Sequence, residues 1–264
     1  MSPRPLPPAV PIACLALLLA ALAGAQTASF LGVKGTSCVA IPPGGGNHVV
    51  TLTGAIAAGS EVFVIVGAAQ NIPLADPISD NQANVYEGEV ASFSDPIITK
   101  TYAGKIVHAL SAGHTVTVAY TDNSTGLSVT SCAIVAAFSK VSAEYFSSNN
   151  DTSFGSANTS LHSNSVSTVG DVAEFAFVAA FATGSATGGL SGFSPFSAIP
   201  SACSGGFCVN PFYRFVGATG SYHVDPTSAA AVIWSGDITA HRDGTISTDG
   251  FETGDLTGWD LHNP

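Results

Sequence analysis

Acyl-transfer chemistry at a serine needs the hydroxyl on a tight turn, a histidine base and an acid that orients the base. The nearest approach in this chain is Ala202-Cys-Ser-Gly-Gly206, centred on Ser204. It lacks the Gly-x-Ser-x-Gly spacing and lies between two cysteines, so a crosslinked loop accounts for it better. The seven histidines show no paired spacing of the kind that holds zinc. His223 with Asp225 could form an acid–base pair, but side chains so placed more often share a surface hydrogen bond. Glycoside hydrolysis needs two carboxylates across a cleft. Glu61, Glu87, Glu89, Glu144 and Glu174 are available, and each also fits an edge charge that blocks sheet-to-sheet aggregation.

Calcium is the most credible ion, because it takes hard oxygen ligands. Asp76, Asp80, Asn81 and Asn84 supply them in one segment, and Asp249, Glu252 and Asp255 near the end of the chain. Asp and Asn are also turn formers whose side chains bond to nearby backbone, and at residues 76–84 that is the stronger reading. No cofactor is required by any motif. Gly44-Gly45-Gly46 leads into a strand and has no helix behind it to cradle a phosphate. The remaining candidate is a Gly/Ser/Pro-rich stretch, 184–212, with Phe193, Phe196, Phe207, Phe212 and the adjoining Tyr213. These rings could form a platform for a sugar or an apolar surface, or fold inward as a lid on the core.

The elements that must position these residues are strands. Runs at 48–53, 61–66, 96–102, 114–120, 127–138, 174–181, 220–224 and 229–234 are short and rich in β-branched residues or alternate in polarity. Turn-forming clusters separate them, as at 42–47 and 122–126, which predicts a sandwich or barrel. The alanine-rich runs 133–138 and 229–234 enclose Ile and Val pairs and are read as strands whose small side chains suit a tight layer between sheets. Residues 147–168 are polar and read as a surface connection between two halves.

Compartment follows from the first 25 residues and the cysteines. Arg4, an apolar stretch from 10 to 22 and Ala23-Gly24-Ala25 make the three-part pattern of a secretory signal peptide. The apolar run is shorter than the roughly 20 residues that span a bilayer, and no later stretch is both long and apolar enough to do so. Beyond Cys14 stand Cys38, Cys132, Cys203 and Cys208, which in an exported chain predict two disulfides with three possible pairings. Cys203–Cys208 across a short loop, with Cys38–Cys132 joining distant strands, is favoured over zinc. The chain has 264 residues, 9% charged and 46% hydrophobic, with a formal net charge of −11. Such a surface disfavours nucleic acid and anionic lipid as partners.

Two segments carry a family resemblance. Ser79-Asp-Asn-Gln-Ala-Asn-Val-Tyr86, Leu110-Ser-Ala-Gly-His-Thr-Val-Thr-Val118, the alanine-rich run at 131–138, the run at 174–181 and the Trp-ended run at 229–234 follow one another in order. That order resembles a loosely related class of exported bacterial β-sandwich surface domains. His114 stands where the class usually has Asp, and Val85 where Thr is usual. Asp249-Gly-Phe-Glu-Thr-Gly-Asp-Leu-Thr-Gly-Trp259 is similar to the short acidic ending of many secreted proteobacterial proteins. The resemblance implies a sandwich, a cell-surface or extracellular setting and no shared catalytic residues; the tail is either a sorting or retention tag or a docked or disordered end.

The expectation is therefore an all-β protein: a leader at 1–25, one two-sheet antiparallel β-sandwich of jelly-roll or Ig-like connectivity at 26–242, and an acidic tail at 243–264. Its expected role is non-catalytic, binding glycan, a cell-surface molecule or copies of itself, or contributing to an extracellular matrix. A secreted polymer-acting hydrolase and a subunit of an extracellular filament remain the alternatives.

Overall fold

A computed structural model describes residues 28–70, 72–73, 78–94, 96–123, 125–153, 155–168, 175–184 and 189–243. Residues 1–27 and 244–264, on which the expected leader and all of the expected tail after Asp243 fall, lie outside these residues, as do Asp76, Glu174, Asp249, Glu252 and Asp255. Among the described residues every regular element is a β-strand. In the first half these are β1 (Ser29–Ile41), β2 (Gly46–Thr51), β3 (Glu61–Ala68), β4 (Ser79–Asp80), β5 (Glu87–Ser94), β6 (Ile97–Lys105), β7 (Thr115–Tyr120) and β8 (Val129–Ser139). The second half supplies β9 (Val141–Thr152), β10 (Asn158–Ser160), β11 (Val166–Ser167), β12 (Phe175–Gly184) and β13 (Ser197–Ala198). It continues with β14 (Ala202–Ser204), β15 (Phe207–Val216), β16 (Ser221–Tyr222), β17 (Thr227–Val232) and β18 (Trp234–Asp243). No helix among the described residues is long and apolar enough to cross a membrane.

Each half of the chain builds its own sheets, and all pairings are antiparallel. The first half makes a five-stranded sheet, β1-β8-β3-β6-β5, and a three-stranded one, β2-β7-β4. The second makes a six-stranded sheet in the order β13-β15-β12-β18-β9, with β14 also on β15, and two small pairs, β10-β17 and β11-β16. None closes on itself as a barrel.

Three apolar clusters explain why the central strands are so uniformly apolar. The two larger sheets share one: Phe63, Ile65, Ile134 and Phe138 from the first meet Val178, Ala180, Ala182 and Val209 from the second. On the other face of β3, Val62, Val64 and Val66 join Val50, Val116 and Val118 of the three-stranded sheet. On the other face of β12, Phe177, Ala179 and Phe181 join Leu161, Val224, Val232 and Trp234. Strands covered on both faces cannot keep a polar side, and all eight residues of β3 are buried. The alternation in polarity read from the sequence therefore does not mark a wet face here: along the middle of β3, β8 and β12 neither side meets water.

The alanines set the spacing. At Gly67 even a Cβ would lie 2.6 Å from Val209 Cγ2 and 3.0 Å from Ala182 Cβ. Three sequence expectations shift in extent. Residues 147–168, read as a surface connection, begin inside β9, whose Ser-Ser-Asn-Asn stretch pairs with β18. The run 229–234 divides between β17 and β18. The stretch 184–212, read as a loop, contains β13, β14 and half of β15.

Candidate functional site

Strand β18 places alternate side chains on opposite faces. Trp234, Ile238 and Ala240 enter the outer cluster. Ser235, Asp237, Thr239 and His241 face the five-stranded sheet and are fully buried. They form a polar seam through an otherwise apolar layer. Thr99 Oγ1 lies 2.6 Å from Ser235 Oγ and donates to Ser235 O at 2.9 Å. Thr101 Oγ1 donates to the Asp237 carboxyl, 3.1 and 3.2 Å from its two oxygens. Burial pushes the pKa of Asp237 up to about 8, against the pull of Thr101 and the Ala180 backbone. The group is therefore a neutral acid at pH 7. His241 Nε2 lies 2.9 Å from Thr239 Oγ1 and its Nδ1 3.1 Å from Ser142 O, with the ring edge-on to Phe63.

The seam leads to a cleft of about 720 Å³, lined among others by Glu61, Glu87, Lys105, His108, Lys140 and Ser142. Register explains the convergence. Glu61 on β3 sits opposite Lys105 on β6, and Glu87 on β5 opposite Ala103. All three thus point to the side of their sheet that carries Phe63 and Ala103, the shared layer. Lys140 alone links β8 to β9, crossing from one sheet to the other with φ of 56°. Val85 and Val107, each 64% exposed, add an apolar rim.

Asp80 and Asn84 come together as a brace for that rim. Asp80 Oδ1 accepts from the backbone of Gln82 (2.7 Å) and Asn84 (3.2 Å). Its Oδ2 accepts from Asn84 Nδ2 (2.9 Å) and the Tyr86 hydroxyl (2.7 Å). An ionised carboxylate offers about four acceptor positions, and protein donors occupy all four. Burial raises the Asp80 pKa, but these hydrogen bonds outweigh it and hold the carboxyl below its ordinary value. Asn84 Oδ1 in turn accepts from the backbone of Val107 and His108, and its Nδ2 donates to His108 O. Asn81 accepts from the Thr115 backbone and hydroxyl. Turn chemistry accounts for the cluster, and among the described residues no group of three or more His, Cys, Asp or Glu is placed to hold a metal.

The aromatic residues divide between two apolar clusters instead of gathering on one face. Phe207 is buried in the layer between the large sheets, whereas Phe196 and Phe212 are buried in the outer cluster with Phe193 against them. Tyr213 packs on Phe30. Alternation along β15 sends Phe212 and Tyr213 to opposite faces, so the rings fold inward. Both disulfides form in the favoured pairing. Cys38 faces Cys132 across β1 and β8, and Cys203 faces Cys208 across β14 and β15, each with Cα atoms 4.1 Å apart. Ser204 is exposed on the β14–β15 hairpin. His223 Nε2 does approach Asp225, at 3.4 Å.

Sequence reasoning missed the seam, the cleft and a third buried polar group. His48 Nδ1 lies 2.8 Å from Ser131 Oγ, which lies 2.6 Å from the Tyr120 hydroxyl. Burial lowers the His48 pKa to about 4, against the Ser37 backbone, so it is neutral. One signal was available: Ser235, Asp237, Thr239 and His241 recur at every second position beside Trp234, Ile238 and Ala240, which marks a strand with two different buried faces. Comparison with protein-family models, with characterised proteins and with solved structures finds no match.

Proposed function

We propose that this is an exported, non-catalytic two-sheet β-sandwich of the bacterial cell surface or extracellular matrix, and that it holds a glycan in the cleft between its sheets. One observation carries the reading: donors and acceptors of both signs, Lys105, Lys140, Glu61 and Glu87, line one cleft beside exposed Val85 and Val107. Sugar hydroxyls both donate and accept, so they pair with ammonium and carboxylate groups alike, while a sugar's C–H face packs on apolar side chains. The two disulfides, the leader pattern and the resemblance in segment order from 79 to 234 to exported surface domains support the setting.

The test is retention of the purified mature chain on a panel of insoluble polysaccharides. Specific retention, lost in Lys105→Ala and Glu87→Gln proteins whose thermal midpoints match the wild type, is the expected result. Absence of retention on every polysaccharide overturns it. A second reading, a polymer-acting hydrolase, is favoured by the convergence of Glu61 and Glu87 on the same cleft. Release of soluble sugar that disappears in Glu61→Gln would establish it instead.

A further inference from the structure

We infer a second binding site, for an oxyanion, in a separate pocket where Arg214 is the anchor. The pocket has a volume of about 270 Å³ and is lined among others by Ser194, Arg214, Ser221, Tyr222, His223 and Asp225. Arg214 lies opposite Phe177 in the β12–β15 pairing, so it rises from the outer face of the six-stranded sheet. Its guanidinium carbon lies 5.3 Å from the centre of the Tyr222 ring and 5.9 Å from that of Phe196. Both rings are themselves fixed. Phe196 is buried in the outer cluster, and Tyr222 stacks on Phe177 at 4.6 Å and donates its hydroxyl to Ala218 O at 2.7 Å. Cation–π contact with two immobile rings orients the guanidinium before any ligand arrives.

The chain carries a formal charge of −11, yet no carboxylate among the described residues forms an ion pair with Arg214. The acid that shares the pocket, Asp225, contacts two histidines rather than Arg214: Oδ1 lies 3.4 Å from His162 Nδ1 and Oδ2 3.4 Å from His223 Nε2. His223 is steadied in turn by Ser165, 3.5 Å from its Nδ1. What remains is a preoriented fork of N–H donors in a pocket that the exposed Ser194 and Ser221 also line. A guanidinium fork matches two oxygens of one carboxylate or sulfate group. The volume is at the small end for ligand pockets, which suits a single charged group carried by a larger polar molecule. A carboxylate sugar and a sulfate ester present the same chemistry to Arg214.

Titration calorimetry of the mature chain at low ionic strength tests this with sodium glucuronate, sodium sulfate and uncharged glucose as probes. Saturable binding of either anion, but not of glucose, is expected, and Arg214→Gln should weaken it at least tenfold. Binding of glucuronate alone assigns a carboxylate ligand, of sulfate alone a sulfate ligand, and of both a general oxyanion site. Arg214→Lys keeps the charge but loses the fork, and should weaken binding several-fold; it keeps the test decisive if the glutamine protein does not fold. No saturable binding of either anion, or affinity unchanged in the lysine or glutamine protein, overturns the inference. The pocket shares no lining residue with the cleft between the sheets, so the outcome stands whatever that cleft binds.

Discussion

At the residue scale, two buried titratable groups, Asp237 and His48, carry opposite shifts that give the fold a pH-dependent stability. Asp237 binds its proton in the folded chain up to about pH 8, against an ordinary value of 3.8. Its contribution to stability is complete below 3.8 and is lost as pH rises to about 8. His48 gains a proton in the folded chain only near pH 4, against 6.5; its contribution is complete above 6.5 and is lost as pH falls to about 4. Between about 4 and 6.5 the two slopes oppose one another. Above 6.5 only that of Asp237 remains, so stability falls toward pH 8 by roughly 1 kcal/mol per pH unit from this source. Urea unfolding at pH 6.5 and pH 8 measures it, and Asp237→Asn should flatten the difference. Equal stability of the wild type at both values would mean that Asp237 is already ionised in the fold. The alternation of Ser235, Asp237, Thr239 and His241 with apolar residues marks the strand, but the shift itself does not show in the residues: Asp237 in Trp-Ser-Gly-Asp-Ile looks like any edge charge until both faces of β18 are covered.

At the scale of elements, the strands were largely legible and their surroundings were not. Alternation and β-branched content located β2, β3, β6, β7, β8 and β12 because those signals are local. β9 escaped because its Ser-Ser-Asn-Asn stretch has turn-like chemistry, and it is held as a strand by pairing with eight residues of β18. The small residues of β3 and β12 act as spacers between sheets. Gly67→Ala should therefore cost about 1–3 kcal/mol as the new methyl meets Val209 and Ala182, read as a drop in the urea midpoint with an unchanged slope. A neutral result would show that the layer between the sheets has slack. The aromatic stretch illustrates the same limit from the other side: a Phe-rich loop and a Phe-rich strand look alike until pairing with β12 assigns each ring a face.

At the scale of the whole molecule, the two disulfides make unequal contributions that the loop lengths set. Cys38–Cys132 spans 94 residues and Cys203–Cys208 only 5. Loop-closure entropy gives roughly 4–5 kcal/mol for the first against about 2 kcal/mol for the second. Replacing both cysteines of each pair by alanine, with thermal and urea unfolding of each variant, should therefore show the larger loss for Cys38 and Cys132. Comparable losses would place the stabilisation in local strand contacts. The β class, a favoured disulfide pairing out of three and the turn-forming character of Asp80 and Asn84 were readable from the residues, because periodicity, loop length and turn chemistry act between near neighbours or follow simple counting. The folded arrangement was needed to show that Glu61, Glu87, Lys105 and Lys140 share one cleft, that Arg214 lies against two rings, and that burial raises the pKa of Asp237. Those facts depend on which strand lies opposite which and which sheet covers which face, and such long-range pairings leave no mark at any single position of the chain.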